Sequence, residues 1–223
     1  MAKQKQAGQK ERALAAMRYL EEKYPQAECA LRWQGDPWRL LVMGRLSAQC
    51  TDARVNEVCR TLFSVYPDCA AMADAELPRL EKLIYSCGVY RVKAQNLRDS
   101  AQMLMRDYGG EVPGEMEALL KLPGVGRKIA NLILGDAFGQ PAIVADTHCI
   151  RISNRLGLCD GADPTKVEST LRGLIPPERS SDFCHRLVLF GREVCTARAP
   201  RCKHCPLQCP ARQEAYTKEK ESL

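Results

Sequence analysis

The chain has 223 residues, 45% apolar and 27% charged, a balance that suits a soluble globular protein with one sizeable core or two small ones. No apolar run approaches a membrane span, and the opening Met-Ala-Lys-Gln-Lys-Gln-Ala-Gly-Gln-Lys lacks the apolar segment of a secretory signal, so a reducing, cytoplasmic setting is expected. The net charge of +6 is gathered in two acid-free groups, Lys121 with Arg127 and Lys128, and Arg198 with Arg201 and Lys203, which favours a polyanionic partner.

In chain order the first apolar stripe with helical period runs from Ala13 to Tyr24. After the breaker Gly35-Asp-Pro37 come stripes over Val55 to Val65 and Leu77 to Tyr85. Gly88 then separates these from a long helix face made by Leu97, Ala101, Leu104, Met105 and Tyr108. Gly109-Gly110 and Pro113-Gly114 end that helix, and a shorter stripe follows from Ile129 to Ala137. Gly139-Gln-Pro141 is the best boundary between two lobes. Thr147 to Arg155 reads as another helix and Phe183 to Phe190 as the last, with Pro176-Pro177 between them. No segment alternates like a strand, so the fold is all-α, with roughly ten helices joined by short loops. The charged tail after Pro210 carries no apolar stripe and is expected to fray.

Between two helical stripes lies Leu122-Pro-Gly-Val-Gly-Arg-Lys128. Glycines at a helix start let backbone N–H groups approach an anion, and phosphate is the usual anion there. Lys128 stands just inside the second helix. The positive end of the helix dipole, the adjacent Arg127 and partial burial would favour its neutral, nucleophilic form. Asp146-Thr-His148 supplies a carboxylate at the next chain reversal. Asp146 is also a natural N-cap for the helix that follows, and His148 is given no chemical step. An amine and a carboxylate beside a bound phosphate backbone make a site for chemistry on a nucleotide.

The chain holds twelve cysteines, and four of them form Cys195-x6-Cys202-x2-Cys205-x3-Cys209. Four thiolates in one short segment suit a soft metal centre, and spacing alone leaves tetrahedral zinc and an iron–sulfur cluster both open. His204, inside the motif, is expected to be a bystander. The other eight cysteines read as small buried apolar residues. A loop tied to a cluster at both ends would hold Arg198 and Arg201 ready for phosphate.

These motifs occur together with Leu46-Ser-Ala-Gln-Cys-Thr-Asp52, Gly88-Val-Tyr-Arg-Val-Lys-Ala94, Leu122 to Asn131, Val144-Ala-Asp-Thr-His148 and Cys195-Thr-Ala-Arg-Ala-Pro-Arg-Cys202. In this order they resemble the endonuclease III family of helix-hairpin-helix DNA glycosylases, from about Leu31 to Cys209. The resemblance implies a six-helix barrel lobe over residues 30–140, with the hairpin near 116–136. It implies a second lobe, 1–29 with 141–223, that holds a [4Fe–4S] cluster on Cys195, Cys202, Cys205 and Cys209, and a DNA cleft between the lobes. Lys128 matches the family's nucleophile and Asp146 its catalytic carboxylate. The implied DNA contacts are Gln49, Val89, Gly124, Gly126, Arg127, Arg198 and Arg201.

The implied activity is that of a monomeric bifunctional DNA glycosylase and AP lyase of the bacterial cytoplasm. It would remove oxidised pyrimidines from duplex DNA or act on abasic sites, with β-elimination on the 3′ side. The alternatives are a monofunctional adenine glycosylase of the same superfamily, which usually lacks the lysine, and a non-catalytic cluster-bearing DNA sensor. Two departures stand out. Val89 is smaller than the leucine common at that wedge position, and the Cys205 to Cys209 spacer is shorter than usual, which implies a tighter path to the same iron.

Overall fold

Eleven α-helices form among the described residues, 2–207 and 209–211, of a computed structural model, and no strand is present among them. They are α1 (Ala2–Lys23), α2 (Pro37–Leu46), α3 (Asp52–Val65), α4 (Cys69–Ala73), α5 (Leu77–Ile84), α6 (Tyr90–Tyr108), α7 (Met116–Leu119), α8 (Arg127–Asp136), α9 (Thr147–Arg155), α10 (Pro164–Arg172) and α11 (Ser180–Glu193). Single 3-10 turns cover Tyr85–Cys87, Pro177–Arg179 and Cys202–His204. No described helix is long and apolar enough to cross a membrane. The expected fraying after Pro210 falls almost wholly outside the described residues.

Short polar residues start the helices. Asp36, Thr51, Asp68 and Asp163 each accept a hydrogen bond from a backbone N–H of the first turn they precede, at 2.9, 3.3, 2.8 and 2.9 Å. Pro37 and Pro164 follow two of these caps, where a missing N–H costs nothing. Gly109 ends α6 in the left-handed conformation, and the next amide, Gly110 N–H, returns to Leu104 O at 2.9 Å.

The chain divides into two units, one of Cys29–Gln140 and the other of the flanking segments up to Glu28 and from Pro141. In the first unit α6 packs against α4 and α5, and α2 against α3, α6 and α8. The core runs from Leu31 through Leu40, Leu41, Leu62, Leu80, Leu97 and Leu104 to Ile133. Gly44 lets α2 and α8 approach closely, since a Cβ there would touch Ile129 and Leu132 at 3.4 Å. In the second unit α11 packs against both α1 and α9. Arg12 of α1 donates to Leu156 O and Gly157 O at 2.9 Å each, a cation closing the carbonyl end of α9.

Candidate active site

The hairpin joins α7 to α8. Val125 N–H returns to Leu122 O at 3.0 Å, and Ser100 of α6 donates to Pro123 O at 3.0 Å, so the turn is tied to the unit that carries it. Leu122 and Val125 are buried beneath it. The two glycines serve different ends. Gly124 has φ +75°, and a Cβ there would overlap Arg45 Nε and Asn96 Nδ2. Gly126 is extended, with φ −100° and ψ 177°, and a Cβ there would meet nothing within 4 Å. Nothing inside the protein requires glycine at 126, and its bare backbone faces open space.

Arg127 and Lys128 follow in the first turn of α8, where backbone N–H groups have no partner within the helix. Lys128 is exposed, not partly buried as the sequence led us to expect. The reason is the register of α8, whose inward face is Ala130, Asn131, Ile133 and Leu134, leaving position 128 off that face.

Gln49 and Val89 lie on two loops of the same unit. Both are non-glycine residues at positive φ, 54° and 47°, and Val89 is 58% exposed. A β-branched residue in this conformation is a strained outlier, and a large apolar side chain held out in solvent is a second anomaly. Gly88, at φ +65°, would place a Cβ 3.9 Å from Gln49 O, so the two loops run side by side.

Asp146 belongs to the other unit. The run Ala142 to Ala145 that leads to it is buried, and Ala142 N–H donates to Ser180 Oγ at 3.0 Å. The half-buried Asp146 caps α9, its Oδ1 accepting from Cys149 N–H at 2.7 Å. One carboxylate oxygen is thus fixed and the group is aimed by a helix. His148 Nδ1 lies 3.2 Å from Arg151, and Gly191 makes room for both, since a Cβ there would overlap the imidazole.

The cysteine loop begins where α11 stops. Cys195 N–H donates to Phe190 O at 2.8 Å, and Arg201 N–H returns to Val194 O at 2.9 Å. Two arginines of α9 hold the loop from the side. Arg151 donates to Cys195 O at 2.9 Å, and Arg155 to Thr196 O at 2.7 Å, Ala197 O at 2.9 Å and Cys195 Sγ at 3.3 Å. Burial pushes the Cys205 thiol up; a backbone contact at Leu207 pulls it down, and the nearby thiols of Cys209, Cys195 and Cys202 push it up again. All four cysteines are half-buried and free of disulfides. Among the described residues no set of three or more His, Cys, Asp or Glu side chains is arranged to hold a single metal ion. Arg198 and Arg201 are exposed on this loop. Of the other eight cysteines, six are buried, while Cys29 and Cys50 are half-buried.

The structure thus gathers the hairpin residues and the Gln49 and Val89 loops in one unit, and Asp146 with the cysteine loop in the other. Sequence reasoning missed Lys93, Arg151 and Arg155, which donate to backbone carbonyls distant in the chain. Within the sequence, Arg151 and Arg155 offered only a one-turn spacing on α9, a weak signal.

The family model for HhH-GPD superfamily base excision DNA repair proteins matches residues 42–177. Endonuclease III of Bacillus subtilis is 46% identical over 201 residues, 90% of this chain and 91% of the relative. That of Escherichia coli K12 is 38% identical over 199 residues, 89% of this chain and 94% of the relative. A trapped endonuclease III–DNA covalent intermediate superposes with a TM-score of 0.89 at 42% identity, covering 93% of this chain and 98% of that one. A thermostable thymine-DNA glycosylase, 23% identical with a TM-score of 0.83, shares the fold. The chain belongs to the endonuclease III family of helix-hairpin-helix base excision DNA repair proteins.

Proposed function

We propose that this chain is a bifunctional DNA glycosylase and AP lyase that removes oxidised pyrimidines from duplex DNA in the bacterial cytoplasm, acting as a monomer. The observation that carries this reading is the exposed Lys128 in the first turn of α8, two residues after a glycine whose backbone the protein leaves uncovered. A relative caught as a covalent DNA intermediate supports it.

In this reading the N–H groups around Gly124, Gly126 and Arg127 donate to a DNA phosphate, and the damaged nucleotide turns out of the stack because its glycosidic bond is otherwise out of reach. Gln49 fills the vacated space and Val89 wedges the stack. Neutral Lys128 attacks the anomeric carbon, forming a C–N bond as the bond to the base breaks. The base leaves with the electron pair and takes up a proton. The Asp146 carboxylate stabilises the positive charge that develops on the sugar. Ring opening and loss of the amine proton give a Schiff base. Loss of a C2′ proton then expels the 3′ phosphate, and water releases the unsaturated aldehyde from Lys128.

Cys195, Cys202, Cys205 and Cys209 form a soft four-sulfur donor set that fits a [4Fe–4S] cluster. When bound, the cluster supplies a rigid tether for the loop. Arg198 and Arg201, exposed on that loop, contact phosphates.

The test is a thymine-glycol duplex scored separately for base release and strand cleavage. The intact chain is expected to do both, with a 3′ unsaturated aldehyde at the nick, and Lys128→Gln to lose both. Base release without a nick by the intact chain would overturn the bifunctional reading.

A further inference from the structure

Lys93, in the first turn of α6, is only 1% exposed and is among the largest fully buried side chains of the described residues. An ammonium has three protons to donate, and a buried one is costly unless every proton finds an acceptor. Here they go to Leu46 O at 2.8 Å, Ala48 O at 2.6 Å and Cys87 O at 2.6 Å. All three acceptors are backbone carbonyls. Leu46 is the last residue of α2, whose end carbonyls lack helical partners and carry the negative end of the helix dipole.

The positions of the other two acceptors are informative. Ala48 immediately precedes Gln49, and Cys87 precedes Gly88 and Val89. Lys93 N–H also donates to Val89 O at 3.2 Å, so main chain and side chain of one residue grip both sides of the Gly88-Val89 turn. Gln49 and Val89 hold left-handed conformations, which crowd the Cβ of an L-residue against its own backbone. Such conformations persist only where surroundings over-determine them. Lys93 supplies that constraint to both loops through one atom.

We infer that Lys93 is a positioning residue for damage recognition: its ammonium fastens the Gln49 loop to the Val89 loop, so that the two side chains enter the DNA stack in fixed register. The inference rests on the reading of Gln49 and Val89 as the residues that fill and wedge the stack. Lys93 itself is out of reach of DNA, and it acts through the two loops.

Lys93→Met removes the donors at similar length. Two substrates separate positioning from chemistry: a thymine-glycol duplex under single turnover, and a single-stranded abasic oligonucleotide, which has no duplex stack to wedge, trapped with borohydride. The ratio of duplex to single-strand turnover is expected to fall by about 100-fold, the scale of a misplacement near 1 Å. 2-Aminopurine opposite the lesion is expected to lose most of the fluorescence rise that unstacking gives with the intact chain. Lys93→Met added to Gln49→Ala/Val89→Ala is expected to lower duplex excision little further, since the three act as one unit. An equal loss on both substrates, or an unchanged duplex rate, overturns the inference. Should Lys93→Met not fold, Lys93→Gln is judged by the same ratio. If Gln49→Ala/Val89→Ala leaves the duplex rate unchanged, the wedge reading fails and the inference with it. If that pair lowers the ratio and Lys93→Met does not, only the role of Lys93 falls.

Discussion

Gly124 and Gly126 are two residues apart in one motif, and the structure gives them opposite reasons to be glycine. Gly124 sits at φ +75° with Arg45 and Asn96 packed where a Cβ would go. Gly124→Ala is expected to destabilise the fold by about 1–2 kcal/mol from backbone strain alone, seen as a lower melting temperature. Gly126→Ala is expected to leave the melting temperature unchanged and to weaken binding to abasic-site duplex, because the new methyl occupies space a phosphate needs. Equal melting shifts for both variants would contradict this division. Asp146 also has two separable tasks. Asp146→Asn keeps an oxygen to cap α9 but loses the charge, so stability should hold within about 0.5 kcal/mol while base excision falls by orders of magnitude. A comparable loss of stability and activity would mean that the cap is its main role. Both glycines, Lys128 and the Asp146 cap were legible in the sequence because each is a local signal. Lys93 was not, because its three acceptors lie up to 47 residues away.

Among the elements, α9 does the most. Its N-terminus is capped by the candidate catalytic Asp146, and its far turns send Arg151 and Arg155 to the cysteine loop. One rigid helix thus sets both the carboxylate and the loop that bears Arg198 and Arg201. Arg155→Met is expected to speed loss of iron from the proposed cluster to a chelator several-fold while leaving the helical signal intact; unchanged iron retention would show that Arg155 does not hold the loop. Arg198→Ala or Arg201→Ala is expected to weaken binding to all duplexes and to make its salt dependence shallower. Most long amphipathic helices were legible from their period. α2 was not, because Trp38, Leu40, Leu41, Val42, Met43 and Leu46 bury it almost all round and erase the stripe. α4 and α7, with 5 and 4 residues, are too short to show one. α1 reaches back to Ala2, beyond its stripe, because Lys, Gln and Ala favour helix without needing an apolar face.

At the scale of the whole molecule, the free thiols make stability depend on alkaline pH. Burial pushes Cys59 up to about 12, and burial followed by Asp136 does the same for Cys29, against an ordinary 9.0. Well below pH 9 both thiols are protonated in folded and unfolded chains alike. Above it the unfolded thiols ionise and the folded ones resist. Stability is therefore lost as pH rises, at about 1.4 kcal/mol per pH unit for each group. Urea midpoints should fall between about pH 8 and about pH 10, and Cys59→Ala should flatten the fall. A flat profile in the intact chain would contradict the burial of these thiols.

The nucleophilic role proposed for Lys128 can be read directly from a covalent adduct. Borohydride added during turnover of a thymine-glycol duplex reduces a Schiff base to a stable bond, and digestion then identifies the peptide that carries the sugar. One adduct is expected, on Lys128, and none from Lys128→Gln. No adduct from the intact chain, or one that persists in Lys128→Gln, would contradict it.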